Sequence, residues 1–318
     1  MRLTFLGTSA GAPTRLRNVS AVALQFDQQS AFWLFDCGEG TQQQLMRSPL
    51  RLSQLQYVFI SHLHGDHFYG LPGMLSSRSL QYGAETPLTV FGPPGLQRYL
   101  QTTFEVSGGS QMGYPLTIQE VGPGRVYEDE RMQVDCLPLV HRIASFGYAV
   151  SEKDQPGHFD AEAARNLGVP TGPLYGRLKR GETITLPDGT VINGEKLVGP
   201  PIAGRKVVYC CDTVYCQNAI QLAQAADALI HEATYAGEDL ELAVRGGHST
   251  ATQAAQVARQ AGAKTLLMTH FSPRYEGAGV EGPGMERLQT EARQTFANSY
   301  IAHDFWSYDI PRQGESSH

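Results

Sequence analysis

The residues best suited to chemistry form one short stretch at residues 61–67, Ser-His-Leu-His-Gly-Asp-His. It follows an apolar run that is typical of a buried strand. Because side chains alternate along an extended chain, His62 and His64 can face one ion, while Asp66 and His67 can turn toward a second. Imidazole and carboxylate groups suit zinc and other divalent first-row metals. The stretch therefore predicts a two-metal site, the alternative being histidines of an ordinary polar surface loop.

A two-metal site needs more ligands than this stretch provides, and three later residues are candidates. They are His141, Asp212 and His270, and each follows an apolar run of its own. Side chains that follow neighbouring strands meet at one edge of a sheet, where they can converge on an ion. Taken singly, each of the three is more often a structural residue. Their order after the first stretch makes them candidate ligands.

The elements that position these residues can be read from apolar patterning. Short apolar runs predict strands at residues 3–7, 19–26, 31–35, 57–60, 88–91, 206–209, 228–230, 265–268 and 300–310. Apolar residues at helical spacing predict helices at residues 217–226, 250–260 and 285–298, with Ser249 or Thr250 as the N-cap of the second. Because strands and helices are interleaved, we predict a mixed α/β (α+β) class with a single domain over residues 1–312, and a disordered tail at residues 313–318.

One segment, at about residues 153–204, differs from the rest because it is dense in glycine and proline. It contains a hairpin pattern around Asp188 and Gly189, and three positive charges at Arg177, Lys179 and Arg180. Loops of this length are usually functional or disordered. We interpret the segment as a flexible arm inserted into the single domain, the alternative being an ordinary long surface insertion.

Composition excludes several classes of protein. The 318 residues carry a net charge of −6, which argues mildly against a nucleic-acid protein with a basic footprint, although a local patch can override the average. The five cysteines are odd in number and form no Cys-x-x-Cys pair, so neither a disulfide framework nor a thiolate zinc site is expected. No apolar run is long enough for a membrane span and no secretory signal is present, so we expect a cytoplasmic protein without a membrane partner.

The order of candidate ligands resembles the metallo-β-lactamase superfamily and, more narrowly, the ribonuclease Z family of tRNA 3′-processing endonucleases. The resemblance covers the chain up to about residue 310. It implies a four-layer αββα sandwich with the metals at one edge of the paired sheets and an inserted arm. It also implies two zinc ions per subunit, held by His62, His64 and His141 on one side and by Asp66, His67 and His270 on the other, with Asp212 bridging them.

Two further motifs resemble those of this family: His-Glu-Ala-Thr at residues 231–234 and Gly-His-Ser-Thr at residues 247–250. A carboxylate beside an imidazole fixes its tautomer and supports its protonated form. The resemblance implies that His248 donates a proton to the departing 3′ oxygen, that Glu232 orients it, and that Asp66 doubles as the proton acceptor. The alternative is that Glu232 serves as a cap or salt bridge and His248 is a loop residue.

RNA contacts are implied in two places. The loop Pro-Thr-Arg-Leu-Arg-Asn at residues 13–18 resembles the family loop that senses the tRNA 3′ end, with Arg15 where lysine is usual, followed by Arg17 and Asn18. Arginine and lysine are not equivalent phosphate binders. The arm resembles the one that grips the tRNA elbow in bacterial members, which implies phosphate contacts by Arg177, Lys179 and Arg180. The alternative for the first loop is a solvated basic turn.

The implied reaction is hydrolysis of the phosphodiester after the discriminator nucleotide of precursor tRNA. The products are a tRNA with a 3′-hydroxyl and a trailer with a 5′-phosphate, made by a homodimer in which each arm serves the partner's active site. Two alternatives remain open. One is a small-molecule hydrolase of the same fold, such as a phosphodiesterase, arylsulfatase or lactonase, which would not need the arm. The other is a non-catalytic RNA-binding module that has lost its metals, against which the complete ligand set argues.

Overall fold

The computed structural model describes residues 1–82, 86–108, 112–276 and 283–312, so the tail predicted to be disordered lies outside the described residues. The strands are β1 (Arg2–Gly7), β2 (Ala21–Gln25), β3 (Phe32–Phe35), β4 (Leu55–Phe59), β5 (Leu88–Gly92), β6 (Leu116–Glu120), β7 (Gly124–Glu128), β8 (Met132–Leu139), β9 (Ser145–Glu152), β10 (Thr183–Thr185), β11 (Val191–Asn193), β12 (Lys206–Cys210), β13 (Ala228–Glu232), β14 (Leu266–Thr269), β15 (Ser299–Ile301) and β16 (Ser307–Asp309). The helices are α1 (Thr41–Met46), α2 (Gly65–Phe68), α3 (Leu71–Tyr82), α4 (Leu96–Val106), α5 (Ala161–Asn166), α6 (Pro173–Lys179), α7 (Gln217–Ala223), α8 (Leu240–Gly246), α9 (Ala251–Ala261) and α10 (Pro283–Thr295). None of the helices in these described ranges is long and apolar enough to cross a membrane.

Two seven-stranded sheets contain most of these strands. The first has the order β16-β1-β2-β3-β4-β5-β6 and the second the order β15-β14-β13-β12-β9-β8-β7. Strands β3 to β6 run parallel to one another, and so do β12 to β15. Because the carboxyl ends of parallel strands lie at the same edge of a sheet, the residues that follow these strands are brought together there.

Four layers result from the way the sheets and helices bury their apolar faces. Side chains of both sheets form the central core, as Phe5 and Phe35 of the first sheet and Val207 of the second illustrate. Helices α1, α3 and α4 cover the outer face of the first sheet, while α7, α9 and α10 cover that of the second. This αββα order confirms the predicted fold class.

Strand β3 shows why apolar runs could predict the strands. Its side chains alternate between the central core, which takes Trp33 and Phe35, and the outer core under the helices, which takes Phe32 and Leu34. With both faces buried, each position favours an apolar residue and the strand becomes an unbroken apolar run. Burial of each such side chain stabilises the fold by roughly 1.5–3 kcal/mol.

The prediction of one strand at residues 300–310 is wrong. Two strands occur there, and they belong to different sheets: β15 pairs with β14 and β16 pairs with β1. Between them the chain turns, with Phe305 at a φ of 65° and the Trp306 N–H donating to the His303 carbonyl at 3.0 Å. A positive φ is incompatible with a continuous strand, so the apolar content of the run hid a crossover from one sheet to the other.

Helix boundaries also differ from the prediction in detail. Helix α7 ends at Ala223, three residues before the predicted end, because Ala225 has a φ of 54°. Helix α9 begins where expected, and Thr250, one of the two predicted caps, forms a reciprocal capping box with Gln253. Helix α10 ends at Thr295, and the chain enters β15 four residues later.

The inserted segment at residues 153–204 has a small core of its own. Helices α5 and α6 and the two-stranded sheet β10–β11 contribute to it. Its buried members are Phe159, Ala164, Val169, Leu178, Ile184, Leu186, Ile192 and Leu197. The hairpin predicted around Asp188 and Gly189 is present, with Ile184 paired to Ile192. The interpretation of the whole segment as a flexible arm remains a prediction.

Candidate active site and metal centre

The seven residues predicted as metal ligands lie together at the edge of the sandwich where strands of both sheets end. They are His62 after β4, His64 before α2, Asp66 and His67 within α2, His141 after β8, Asp212 after β12 and His270 after β14. Four of them therefore follow a strand of the first sheet and three follow strands of the second. The stacking of the two sheets places these strand ends at the same edge of the sandwich, and this brings the seven side chains together.

One group of four donor atoms comprises His62, His64, His141 and Asp212. The Nδ1 atom of His64 lies 3.0 Å from His62 Nε2 and 3.1 Å from His141 Nε2. The Oδ2 atom of Asp212 lies 3.5 Å from His62 Nε2 and 3.7 Å from His141 Nε2. Four lone-pair atoms thus surround a common point.

A second group comprises Asp66, His67, His270 and the other oxygen of Asp212. The Nε2 atoms of His67 and His270 are 3.3 Å apart, and Asp66 Oδ2 lies 3.3 Å from each. Asp212 Oδ1 lies 3.3 Å from the first and 3.1 Å from the second. The thiol of Cys211 also falls within this group, 3.4 Å from Asp212 Oδ1. Asp212 therefore contributes one oxygen to each group.

The spacing of these atoms fits divalent zinc. A tetrahedral ion with bonds of about 2.0–2.1 Å holds neighbouring donor atoms about 3.3 Å apart. The donor pairs given above span 3.0–3.7 Å in the first group and 3.1–3.3 Å in the second. The donor set of imidazole and carboxylate is also the one that such ions prefer. The residues present therefore fit a pair of metal ions that share Asp212.

A buried carboxylate that sequence analysis did not single out, Asp36, supports the second group. It follows β3 and accepts four hydrogen bonds, from His67 Nδ1 at 2.7 Å, Ser61 N at 2.7 Å, Ser61 Oγ at 2.8 Å and the Tyr209 hydroxyl at 2.7 Å. The carboxylate fixes the tautomer of His67, so that Nε2 presents its lone pair to the centre. A single aspartate after an apolar run is too common a pattern to reveal this role.

Two of the three imidazoles of the first group are oriented in the same way. Because the Ser61 hydroxyl donates to Asp36, it accepts from His62 Nδ1, which is 3.0 Å away. His141 Nδ1 donates to the Gly247 carbonyl at 2.7 Å. Each of these contacts leaves the Nε2 lone pair facing the centre. Gly247 has a φ of 78°, and a Cβ there would lie 2.9 Å from His141 Nδ1, so glycine suits this position.

Glu232, the last residue of β13, is fully buried and connects the second group to His248. Its carboxylate accepts from the Thr213 N–H at 2.7 Å, the Thr234 hydroxyl at 2.5 Å and His248 Nδ1 at 3.0 Å. Because the Thr234 hydroxyl donates to Glu232, it accepts from His270 Nδ1 at 2.9 Å. The single carboxylate of Glu232 thus orients two imidazoles, that of His270 inside the donor group and that of His248 beside it.

His248 lies at the margin of the centre with 17% of its side chain exposed. Burial lowers the pKa of its imidazole, but the charge of Glu232 and its hydrogen bond outweigh burial and raise that pKa to about 9. The ring is 5.2 Å from that of His141 and 5.4 Å from that of His270, measured between centroids. His248 therefore combines a protonated form at neutral pH with partial access to solvent.

The carboxylates and imidazoles of the centre shift one another's pKa values. Burial raises the pKa of Asp66, but the imidazoles of His67 and His270 outweigh it and hold that pKa well below its usual range. Burial lowers the pKa of His67, but the carboxylates of Asp212, Asp66 and Asp36 raise it well above the ordinary value. The carboxylates around His67 therefore favour a positive charge at the centre, which is either a proton on His67 Nε2 or a metal ion in place of that proton.

The backbone is strained where it delivers the key carboxylates and one imidazole. Asp36, Asp212 and His270 have φ values of 56°, 49° and 58°. A left-handed conformation costs a non-glycine residue roughly 1–2 kcal/mol, and such residues persist where the surrounding structure holds them. At Gly38 a Cβ would lie 2.2 Å from the Asp66 carbonyl, so glycine permits the close approach of α2 to the turn after β3.

The residues predicted to contact the tRNA 3′ end occupy different environments. Arg15 is exposed, whereas Arg17 is only 2% exposed and donates from Nη1 to Thr8 Oγ1 at 2.7 Å. The side chain of Asn18 is partly exposed and donates to the Glu39 carbonyl at 2.9 Å. The burial of Arg17 could not be read from a basic stretch of sequence.

The three predicted contacts of the arm are all exposed. Arg177 and Arg180 each pair with Glu182, at nitrogen–oxygen distances of 2.8 Å. The Lys179 ammonium lies 5.7 Å from the centre of the Phe159 ring. The structure thus brings two of the three positive charges to one carboxylate on the surface of the arm.

The fold and the site define a class. Metallo-β-lactamase fold proteins have this architecture: two stacked mixed sheets between helical layers, with histidine and aspartate donors at one edge. A family model described as a β-lactamase superfamily domain matches residues 187–271. Another, described as anti-Pycsar protein Apyc1, matches residues 1–144. Ribonuclease Z of a Cyanothece species is 52% identical over 315 residues, which cover 99% of this chain and 97% of that relative. The chain belongs to the ribonuclease Z family.

Other similar proteins agree with this membership. Ribonuclease Z of Brevibacillus brevis is 55% identical over 276 residues, covering 87% of this chain and 86% of that relative. The crystal structure of human tRNase Z, short form, is 31% identical with a TM-score of 0.69, covering 98% of this chain and 100% of that one. The metallo-β-lactamase fold protein YhfI from Bacillus subtilis, at 19% identity and a TM-score of 0.65, covers 96% of this chain and 98% of its own, and it shares the fold.

The role of Asp36 can be tested with Asp36→Asn. Asparagine tolerates the left-handed backbone, so the change acts through the lost carboxylate, and we expect the affinity of the second group for zinc to fall about 10- to 100-fold. A competition titration against a chromophoric chelator measures this affinity. Tyr209→Phe is the matched control, because it removes one donor to the same carboxylate and leaves the His67 bond intact. Equal affinities in Asp36→Asn and the wild type would contradict the assigned role.

Proposed function

We propose that this protein is a metal-dependent endoribonuclease that removes the 3′ trailer from precursor tRNA. It hydrolyses the phosphodiester after the discriminator nucleotide and leaves a 3′-hydroxyl on the tRNA and a 5′-phosphate on the trailer. The observation that carries this proposal is the pair of donor groups sharing Asp212, with the His248–Glu232 pair beside them. These residues occur in a chain that belongs to the ribonuclease Z family along nearly its full length.

The proposed cofactor is two zinc ions per subunit. His62, His64 and His141 would hold one ion, Asp66, His67 and His270 the other, and Asp212 would bridge them. Two such ions supply a water-derived nucleophile at neutral pH and stabilise the charge on both oxygens of an in-line displacement. The donor distances and the orientation of His62, His67, His141 and His270 support this assignment.

The chain's own residues would move the protons. His248 carries a proton at neutral pH because of Glu232 and lies beside the donor groups, so it is placed to protonate the departing 3′ oxygen. Water adds to phosphorus as the bond from phosphorus to that oxygen breaks, and the trailer keeps the phosphate. Asp66, whose carboxylate lies within the second donor group, is the proposed acceptor of the water proton.

RNA binding is proposed for two surfaces. In the loop at residues 8–18, Arg15 is the exposed charge that can meet a phosphate, while Arg17 and Asn18 act from the base of the loop. In the arm, Arg177, Lys179 and Arg180 would contact the phosphates of the tRNA elbow. These exposed basic side chains are the local positive charges that could contact RNA in a chain with a net charge of −6, although Arg177 and Arg180 share Glu182 as a partner.

A homodimer is proposed as well. Tyr69 and Val106 are 59% and 84% exposed, and both line an open surface groove of about 960 Å³ together with Leu63, Phe68 and Tyr99. Exposed apolar side chains gathered in one place support contact with a second copy of the chain. A cytoplasmic location is proposed because the RNA substrate is made and processed inside the cell.

Cleavage of a precursor tRNA with a 3′ trailer tests the function directly. We expect a single cut after the discriminator nucleotide, loss of that cut after dialysis against a chelator, and its return with two zinc equivalents per chain. His64→Ala should lack activity and bind less zinc. Mapping the product ends by sequencing and measuring bound metal give these results. A fully active His64→Ala protein with unchanged zinc would refute the ligand assignment, and hydrolysis of small diesters without tRNA cleavage would favour the small-molecule hydrolase.

The proton donor can be tested by comparing two leaving groups. His248→Ala should lower turnover of precursor tRNA by at least about a hundredfold, because general acid catalysis contributes on this scale. A p-nitrophenyl diester departs as a stable phenolate that needs no proton, so its turnover should fall far less. Glu232→Ala should also lower turnover of precursor tRNA, and because Glu232 orients His270 through Thr234, it should weaken zinc binding as well. Zinc content should stay at the wild-type value in His248→Ala; loss of one ion would make His248 a ligand instead.

The arm can be tested with the double variant Lys179→Ala, Arg180→Ala. Binding of precursor tRNA should weaken, and the slope of log affinity against log salt should fall by about 1–2, because fewer counterions are released. The matched control is Arg131→Ala, Arg259→Ala, which removes two exposed charges from the ends of β8 and α9 that lie away from the site. A binding titration across a salt series gives the slopes. Equal slopes in both double variants would contradict a role of the arm in tRNA capture.

A further inference from the structure

The loop at residues 8–18 is attached to the metal centre through its backbone. The Gly11 N–H donates to Asp66 Oδ2 at 2.8 Å. This oxygen is the one that lies 3.3 Å from the Nε2 atoms of His67 and His270. The position of the loop therefore decides how one oxygen of the second donor group is oriented.

The same loop also contacts the residue after His270. The Ala10 N–H donates to the Phe271 carbonyl at 3.0 Å, and the Phe271 N–H donates to the Thr8 carbonyl at 2.9 Å. These bonds join the loop, which follows β1 of the first sheet, to the end of β14 in the second. The loop thus contacts Asp66 of the second donor group and the residue that follows His270.

A half-buried carboxylate outside the site, Asp304, contacts both ends of the loop. Its Oδ1 accepts from the Thr8 hydroxyl at 2.8 Å, and its Oδ2 accepts from the Asn18 N–H at 2.7 Å and from Gln44 Nε2 at 2.8 Å. The two loop ends also pair directly, with the Thr8 N–H donating to the Asn18 carbonyl at 2.8 Å. Burial raises the pKa of Asp304 to about 6, so at neutral pH the carboxylate is ionised and accepts all three bonds.

Arg17 also holds the two ends of the loop together. Its Nη1 donates to Thr8 Oγ1 at 2.7 Å and to the Ala302 carbonyl at 2.8 Å, and its guanidinium lies 5.1 Å from the centre of the Phe271 ring. Because Thr8 accepts from Arg17, its own proton is directed to Asp304. The ends of the loop are therefore held by a polar network, while residues 11–13, 15 and 16 are exposed.

We propose that Asp304 is a positioning residue for the reaction, which fixes the ends of the loop so that Gly11 holds Asp66 and the exposed part of the loop faces RNA. The second half of this role rests on the proposed function. The first half concerns the metal centre itself and applies to any phosphodiester that the centre hydrolyses. The hydrogen bonds of Asp304 go to Thr8, Asn18 and Gln44, so its proposed effect on the donor groups is exerted through the loop.

Asp304→Asn is the direct test. The amide has the same size, but its NH2 group faces donors in place of an oxygen, so at least one of the three hydrogen bonds is lost. We expect kcat for bis(p-nitrophenyl) phosphate to fall about tenfold, the lower end of the effect of removing a partner that orients a ligand. For precursor tRNA we expect the same loss in kcat and an increase in KM. The measurement is steady-state kinetics on both substrates, which shows whether kcat alone or both kcat and KM change on each.

Two further variants separate positioning from stability. Asp309→Asn removes a carboxylate from the same C-terminal segment, but Asp309 is 67% exposed and pairs with Arg2, so its kinetics should equal the wild type. Gly11→Ala keeps the N–H but places a Cβ on a residue with a φ of 72° and open space around it, so it displaces the donor to Asp66 without a clash. It should reproduce the loss on the small diester, and the double variant Gly11→Ala, Asp304→Asn should be no slower than the slower single variant.

The outcomes are distinct. Wild-type kinetics in a folded Asp304→Asn protein would overturn the positioning role, and so would fully additive effects of the two single variants. If Asp304→Asn does not fold, Gly11→Ala alone decides whether the loop positions Asp66, and unchanged turnover in it would overturn the coupling. A wild-type protein that hydrolyses the diester but leaves precursor tRNA intact would refute the proposed function, while the diester comparison would still decide the role of Asp304.

Discussion

A neutral imidazole presents a lone pair from one nitrogen while the other carries the proton, and an acceptor for that proton fixes which nitrogen faces a cation. Two fully buried carboxylates, Asp36 and Glu232, accept most of these protons, either directly or through a serine or threonine hydroxyl. Neither has solvent to stabilise its charge, so each must be surrounded by donors. Asp36 obtains them from both sheets, through Ser61 on one side and Tyr209 on the other. The stacking of the sheets and the orientation of the donors therefore depend on the same contacts.

The sequence was informative where burial or chemistry leaves a local pattern. Strands such as β3 and β13, covered on both faces, are apolar runs, and the predicted donors lie in motifs or directly after such runs. Strands β6 and β7 carry many exposed residues, so no apolar run marked them. The ligand set remains a prediction that the geometry supports. The roles of Asp36 and Asp304 could not be predicted, because their hydrogen-bond partners lie far away in the sequence.

Backbone strain and charge in this site have a common origin. The left-handed residues Asp36, Asp212 and His270 each turn the chain directly after a buried strand or one residue later, which brings side chains of adjacent strands onto one point. Conformations of this kind cost free energy and persist only where surrounding contacts fix them. Here those contacts are hydrogen bonds within the site. Loss of one of these hydrogen bonds would let the strained backbone relax and would also let a donor side chain turn away. A change at one residue of the centre is therefore expected to affect the others.

The donors come from two parts of the chain that belong to different sheets: the segment up to His67 and the segments from His141 onward. A cation bound by both would act as a cross-link between the halves of the sandwich. Neither half contains a complete set of donors, so affinity for the ion exists only in the assembled fold. By thermodynamic linkage, an ion at a hundred times its dissociation constant would add about 2.7 kcal/mol to the free energy of unfolding. The metal supply of the cell would then set the stability of the protein as well as its activity.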